Sequence, residues 1–329
     1  MSKIARSNRL TEIPFPVLRC ARLTRNTEGE LKMGYLYLVM VALLFSFGGT
    51  CVKAIKPFFA PSMITFLRFF VGVFWLLLLK AILRKPVRAD FRNALKTHWK
   101  WLVFGAVCKF LNYTCENIAL SVGVSYGNIL TQPVQMILLT ILGVTYLKER
   151  MTAQRLVGVL LCVTGIFLIS WNGMSIETLL SGNLRLTILY IIAGIFAGLF
   201  VLAQKKVAAD FDVLDSNLFM FSVAAGIAFL VPLGEGRVLP AGIPSPGAII
   251  AIAFFGFITG IGFYLNARAI PLVPFQMVAL LQSTMVFFSI AWGVLFFHEP
   301  VSIYIITGTL LFVAGIVLTQ LHPAHGQAK

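Results

Sequence analysis

Long apolar runs separated by short polar connections make up most of this chain. A run of about 17 to 25 apolar residues is long enough to cross a bilayer as a helix. Ten such runs are present, at approximately 34–52, 61–79, 101–120, 124–147, 155–171, 186–203, 216–233, 247–267, 273–297 and 301–321. The pattern predicts an all-α polytopic membrane protein with ten transmembrane helices and no room for a soluble domain.

The composition supports a membrane protein. Of the 329 residues, 59% are apolar and only 12% are charged, whereas a soluble domain carries about 25% charged residues. An ordinary soluble enzyme is therefore excluded. The five cysteines are an odd number and form no CxxC pair, and four of them, Cys51, Cys108, Cys115 and Cys162, fall inside apolar runs. We expect buried thiols rather than disulfides.

The basic residues are distributed unevenly among the connections. Of the 27 Lys and Arg side chains, 21 lie in the N-terminal tail, the connections after even-numbered runs and the C-terminus, and only four lie in the opposite connections. Basic connections stay in the cytoplasm. The bias predicts a multi-pass protein of the plasma (inner) membrane with a basic cytoplasmic tail, 1–33, and a cytoplasmic C-terminal tail, 322–329. The alternative is that translation starts at Met33, so that the preceding segment is not part of the protein.

An internal repeat joins the two halves at an offset of 150 residues. The matched pairs include polar and glycine positions that chance rarely repeats in apolar sequence, among them Gln132/Gln282, Glu149/Glu299, Gly158/Gly308 and Gly165/Gly315. The repeat predicts two units of five helices, 34–172 and 184–321. Because five is odd, the second unit enters the membrane from the opposite side, and inverted repeats are typical of alternating-access transporters.

Two motifs carry a family resemblance. Pro133 in the fourth run is followed by the segment 146–152 with Glu149, and Phe297-His298-Glu299-Pro300 repeats that pattern in the second half. Together with the repeated glycines, they resemble the EamA family of the drug/metabolite transporter superfamily. The resemblance implies a five-plus-five inverted-repeat fold around a central cavity and transport of small metabolites, often export of amino acids. It also implies a peripheral fifth helix in each half and a possible homodimer.

Four polar residues form a stripe in the third run. Lys109, Asn112, Tyr113 and Glu116 are spaced i, i+3, i+4 and i+7, which places them on one helical face. Ionisable side chains within the bilayer normally face the protein interior or water. We expect this face to line a cavity in which Lys109 binds a carboxylate and Glu116 an ammonium group or a coupling proton. The alternative is that the two charges only neutralise each other or neighbouring helices.

Amides and hydroxyls in later runs complete the predicted substrate site. They are Asn128, Gln132 and Gln135 in the fourth run, Asn266 in the eighth, and Gln282, Ser283 and Thr284 in the ninth. The alternative role for each is an interhelical hydrogen bond. Arg68 is interpreted as a snorkelling or structurally paired residue, and Glu149 and Glu299 as helix N-terminal caps.

Other functions need features that the sequence does not offer. It has no Walker loop for ATP and no His, Cys, Asp and Glu cluster with metal-site spacing, so no cofactor is predicted. The partners expected are a small-molecule metabolite and the lipid bilayer, without nucleic acid. A membrane-embedded enzyme acting on lipid is the alternative from another class, and a transporter of nucleotide-like or drug-like metabolites is the alternative substrate class.

Overall fold

Helices follow the apolar runs in the computed structural model, which describes residues 28–84, 91–122, 131–145, 152–171, 173, 184–208, 211–273, 277–278, 281–282, 284–297 and 302–320. The first half contains α1 (Glu28–Ser46), α2 (Gly48–Ile55), α3 (Pro61–Ile82), α4 (Phe91–Val122), α5 (Thr131–Thr145) and α6 (Ala153–Trp171). The second half contains α7 (Leu184–Val207), α8 (Val213–Gly234), α9 (Pro246–Phe257), a π-helical turn (Ile258–Gly262), α10 (Phe263–Ala269), α11 (Met285–Phe297) and α12 (Ile303–Gln320). The described residues contain no β-strand.

Five helical stretches are long and apolar enough to cross a membrane. They are Gly29–Ile55, Pro61–Ile82, Ile188–Val207, Val213–Gly234 and Pro246–Ala269. Four shorter apolar stretches are Val134–Thr145, Leu156–Ile169, Met285–Phe296 and Ile303–Gly315. The helix α4 is longer than any of these, at 32 residues, and it contains the buried charged residues Lys109 and Glu116. An all-helical membrane protein is therefore confirmed.

Two predicted boundaries are wrong. The apolar runs predict a basic connection over 80–100, but α4 begins at Phe91, because mostly exposed residues such as Lys96 and Lys100 extend the helix beyond its apolar part. The first apolar run predicts one helix from residue 34. Instead α1 begins at Glu28 and ends at Ser46, and α2 starts after a break at Phe47, just before two consecutive glycines.

The helices α6 and α12 occupy equivalent positions in the two repeats and pack directly against each other. A Cβ atom on Gly165 would lie 2.5 Å from the Gly308 carbonyl oxygen, and one on Gly315 would lie 2.6 Å from the Gly158 carbonyl oxygen. These pairs run in opposite directions along the two helices, so the helices are antiparallel. The repeat offset converts one pair into the other, which is the pattern that a twofold axis between the helices produces.

The helices α3 and α8 form a second antiparallel pair. At one end the Lys80 ammonium binds the Asp215 carboxylate, and at the other end the Ser62 hydroxyl donates to Glu235 Oε2 at 2.6 Å. Each is the second long helix of its repeat, just as α6 and α12 are each the last helix of their repeat. The two halves thus meet through equivalent helices that point in opposite directions.

Glycine pairs allow other helices to approach closely, as their GxxxG spacing predicts. A Cβ atom on Gly194 of α7 would lie 2.7 Å from the Thr131 carbonyl oxygen of α5. One on Gly260 would lie 2.6 Å from the Gly72 carbonyl oxygen of α3. These contacts bring α5 and the π-helical turn against the opposite repeat, where the candidate site lies.

Candidate functional site

A small polar cavity lies where the two repeats meet. The first repeat lines it with Phe45, Arg68, Lys109, Asn112, Tyr113, Glu116, Thr131 and Gln135, and the second with Ala197, Phe200, Val201, Phe263, Asn266, Gln282 and Met285. The volume open to the centres of water molecules is about 50 Å³, and a single buried water needs roughly 10 to 15 Å³ on that scale. The cavity therefore has room for a few waters or a small polar group.

Lys109 places its ammonium group inside a cage of aromatic rings. Its Nζ lies 3.8 Å from the centre of the Tyr113 ring, 4.3 Å from that of Phe263 and 5.2 Å from that of Phe200. Nζ also donates to Asn112 Oδ1 at 2.7 Å. Cation–π contacts stabilise a desolvated ammonium, yet they leave its remaining N–H groups without an oxygen acceptor among the described residues. The Asn112 amide in turn donates to the Ala193 carbonyl oxygen of α7 at 2.9 Å.

Arg68 joins this site from α3. Its guanidinium carbon lies 3.2 Å from the centre of the Tyr113 ring and 4.2 Å from that of Phe255, and its Nε donates to Thr259 Oγ1 at 3.0 Å. Only 4% of Arg68 is exposed, so the snorkelling interpretation is wrong. Its contact with Glu116 agrees with the alternative interpretation, a structural pairing.

The contact between Arg68 and Glu116 is open rather than closed. Arg68 Nη1 lies 3.8 Å from Glu116 Oε1, which is longer than the roughly 2.7 to 2.9 Å of a charge-assisted hydrogen bond. Nη1 is buried and has no hydrogen-bond partner among the described residues. Glu116 thus faces a cation of a neighbouring helix, and both groups keep capacity for a further partner.

A chain of amides connects the two repeats across the cavity. Gln135 Nε2 of α5 donates to Gln282 Oε1 at 3.1 Å, and Gln282 Nε2 donates to Asn266 Oδ1 of α10 at 2.5 Å. The chain ends at Asn266 Nδ2, a buried donor without a partner in the described part of the protein. This side chain is 1% exposed and lines the cavity, so a buried donor without a partner belongs to the cavity wall.

Three of the four residues in the predicted stripe of α4 have repeat mates at or beside the cavity. At the offset of 150 residues, Lys109, Tyr113 and Glu116 correspond to Thr259, Phe263 and Asn266. Phe263 and Asn266 line the cavity, and Thr259 binds the cavity residue Arg68. The site is thus symmetric in position and asymmetric in charge, because the first repeat supplies the ionisable side chains and the second supplies neutral ones.

The structure brings together seven of the eleven residues predicted for the substrate site. Lys109, Asn112, Tyr113, Glu116, Gln135, Asn266 and Gln282 line one cavity. Asn128 and Ser283 lie outside the described residues, as do Glu149 and Glu299, and the side chain of Gln132 is not among those described. Thr284 donates to the Leu281 carbonyl oxygen at 2.6 Å instead of lining the cavity.

Sequence reasoning missed Arg68, Thr259 and the aromatic cage. A signal for Thr259 and Phe263 was available, since both are repeat mates of stripe residues. Within the described residues, no group of three or more His, Cys, Asp or Glu side chains could hold a metal ion. The described cysteines, Cys51, Cys108, Cys115 and Cys162, are free thiols.

Comparison with known proteins identifies the family. The sequence matches the EamA-like transporter family over residues 32–171 and again over 185–321. The chain belongs to the EamA-like transporter family. This match confirms the resemblance carried by Pro133 and by the repeated Glu and Gly positions. The protein is therefore a multi-pass membrane transporter of the drug/metabolite type with two EamA repeats.

A solved structure supports the fold of this EamA-like transporter. A protein described only as "Crystal structure of protein" is 15% identical and superposes with a TM-score of 0.68, covering 89% of this chain and 98% of that one. At this level of identity, the superposition supports the fold alone. No curated protein matched the sequence.

Proposed function

We propose that this protein is an alternating-access secondary transporter that exports amino acids or related small zwitterions across the plasma (inner) membrane. The carrying observation is the cavity between the repeats, in which buried cationic, anionic and amide side chains surround space for a small polar group. Ionisable side chains are costly within a bilayer and mark substrate pathways. The family match supports transport rather than enzymatic chemistry.

The proposed architecture is ten transmembrane helices in two inverted units, 34–172 and 184–321. Its support is the antiparallel packing of α6 on α12 and of α3 on α8. An axis that relates two antiparallel helices is perpendicular to them, and for membrane-spanning helices it lies in the membrane plane. This is the arrangement of inverted-repeat transporters, whose substrate site lies between the repeats.

Lys109 and Glu116 are the proposed contacts for the charged ends of the substrate. The test substrates are the amino acids and metabolites that cells lose when they express the protein. We expect their uptake by proteoliposomes to fall at least tenfold in Lys109→Met and in Glu116→Gln, since each variant leaves a substrate charge unpaired. Lys100→Met, on the same helix but exposed, is the matched control and should retain the wild-type rate. Full transport by both cavity variants would contradict the proposal.

Glu116 is also the proposed proton-coupling residue, because it is the carboxylate that the described cavity contains. We expect a pH gradient to accelerate wild-type transport and Glu116→Gln to respond to no gradient. Glu30→Gln, exposed at the start of α1, should respond like the wild type. Wild-type transport that ignores the gradient would remove the coupling role and leave substrate transport standing.

A further inference from the structure

The charges that line the cavity do not balance. Two cations, Arg68 and Lys109, face one carboxylate, Glu116, within the described lining. The undescribed stretches next to lining residues, 123–130 and 274–276, contain no Asp, Glu, Lys or Arg. The second repeat adds only neutral side chains, because the position equivalent to Glu116 is Asn266. The cavity therefore carries a formal charge of one positive unit.

The hydrogen-bonding groups show the same surplus. Arg68 Nη1 and Asn266 Nδ2 are buried donors without partners in the part of the chain described. Among the described residues, Lys109 Nζ donates one hydrogen bond, to Asn112, and contacts three aromatic rings, which accept no strong hydrogen bond. Three side chains of the described cavity wall thus carry donors for which that part of the chain supplies no acceptor. A buried donor or cation without a partner is costly, so the matching ligand is rich in acceptors and negative in net charge.

The open contact between Arg68 and Glu116 decides between two kinds of anion. A simple monocarboxylate would need only one cation, Lys109. Arg68 and Glu116 would then be free to form a closed ion pair with each other. The pair stands open at 3.8 Å, with both groups at the wall of the same cavity. An ammonium group beside Glu116 and a carboxylate on each cation would satisfy all three ionisable side chains.

We propose that the preferred substrate carries two carboxylates and one ammonium group, which is the charge pattern of an acidic amino acid. Lys109 and Arg68 each bind one carboxylate, Glu116 binds the ammonium group, and Asn266 Nδ2 donates to a carboxylate oxygen. This inference rests on the transport function proposed above and names its substrate class.

The first test compares ligands that differ in a single charge. Purified protein in proteoliposomes is assayed with L-glutamate, with L-glutamine, which lacks one negative charge at nearly the same size, and with glutarate, which lacks the ammonium group. We expect kcat/KM for glutamate to exceed that for each of the other two about tenfold or more. Equal or better transport of glutamine or of glutarate overturns the charge assignment.

The second test adds a negative charge to the cavity wall and keeps the hydrogen bond that Asn266 accepts from Gln282. Asn266→Asp keeps the oxygen that accepts from Gln282 and replaces a nitrogen that has no partner, so its thermal unfolding should stay near that of the wild type. The added negative charge should shift the glutamate-to-glutamine ratio at least tenfold toward glutamine. Gln154→Glu adds the same charge on α6 outside the cavity, where Gln154 Nε2 donates to the Leu318 carbonyl oxygen, and should leave the ratio unchanged.

The outcomes distinguish a failure of the proposed amino-acid transport from a failure of the charge assignment. If no amino acid of any charge is bound or moved, the proposed amino-acid transport is wrong and the substrate class with it. If glutamine is moved but glutamate is not preferred, or if Asn266→Asp leaves the ratio unchanged, only the charge assignment is wrong.

Discussion

At the scale of single residues, the site depends on contacts between side chains of neighbouring helices. Tyr113 illustrates this, since one ring is contacted by the Arg68 guanidinium at 3.2 Å and the Lys109 ammonium at 3.8 Å. Two like charges beside one ring are tolerated because the π face attracts each cation. The ring thus lets two cations share a small cavity while their polar atoms stay available.

The amide chain offers a residue-scale prediction. Gln282→Leu removes the acceptor for Gln135 and the donor for Asn266, and buried polar groups left without partners cost about 1 to 3 kcal/mol. We expect a lower unfolding temperature in detergent. A second change, Asn266→Leu, should cost less in the Gln282→Leu background than in the wild type, because one orphaned group is then removed. Additive losses in that double-mutant cycle would contradict a coupled chain.

Residue roles could be predicted from the sequence only where they depend on one helix. The stripe of Lys109, Asn112, Tyr113 and Glu116 followed from helical spacing alone, and all four line the cavity. Arg68 could not be placed, because whether its side chain reaches lipid headgroups or the interior depends on how α3 packs on the π-helical turn. That packing is set by Thr259 and by the close approach of Gly72 and Gly260, which no local pattern records.

At the scale of helices, the contact of α6 with α12 depends on backbone approaching backbone. Gly308→Ala would place a Cβ atom 2.5 Å from the Gly165 carbonyl oxygen, and neither backbone can give way without moving a helix. Overpacking of this kind costs about 1 to 3 kcal/mol. We therefore expect a clear fall in the unfolding temperature of Gly308→Ala.

Gly226 provides the matched control within another helix. A Cβ atom there meets nothing within 4 Å, and alanine favours a helix over glycine by about 1 kcal/mol. Gly226→Ala should therefore leave the unfolding temperature unchanged or raise it. If both variants behaved alike, helix propensity would explain the result and the close α6–α12 contact would not.

Helix boundaries show where sequence patterns stop being informative. Apolar runs located every long helix, but hydropathy alone could not place the break at Phe47 or the π-helical turn at Ile258–Gly262. Both are changes in backbone hydrogen bonding within apolar sequence. They are fixed by packing, as when Gly262 comes so close to Phe45 that a Cβ atom would lie 2.7 Å from its ring.

At the scale of the whole molecule, the repeat is a symmetric scaffold that carries an asymmetric site. Cys162 and Phe312 are repeat mates, and the Cys162 thiol donates to the Phe312 carbonyl oxygen at 3.5 Å. A residue that contacts its own mate lies at the symmetry axis. The duplicated fold therefore provides two equivalent halves. In the described cavity lining the charge is confined to Arg68, Lys109 and Glu116, an asymmetry that would give the proposed substrate one orientation.

The symmetric scaffold makes a topological prediction. Because α3 and α8 are antiparallel, with Ser62 near Glu235 and Lys80 near Asp215, the ends of the pair lie on opposite sides of the membrane. The basic bias assigns the Lys80 end to the cytoplasm. In a cysteine-free background, a membrane-impermeant maleimide should label Arg237→Cys on intact cells and Arg84→Cys only after the cells are opened.

Both positions are exposed, so a difference in labelling reports the side of the membrane and not burial. Labelling in the reverse order would mean that the molecule has the opposite orientation in the membrane. The fold would be unchanged, because the twofold axis exchanges the two repeats. Labelling of both positions on intact cells would contradict the antiparallel pair itself. The experiment therefore separates an error in orientation, which rests on loop charge, from an error in architecture, which rests on helix packing.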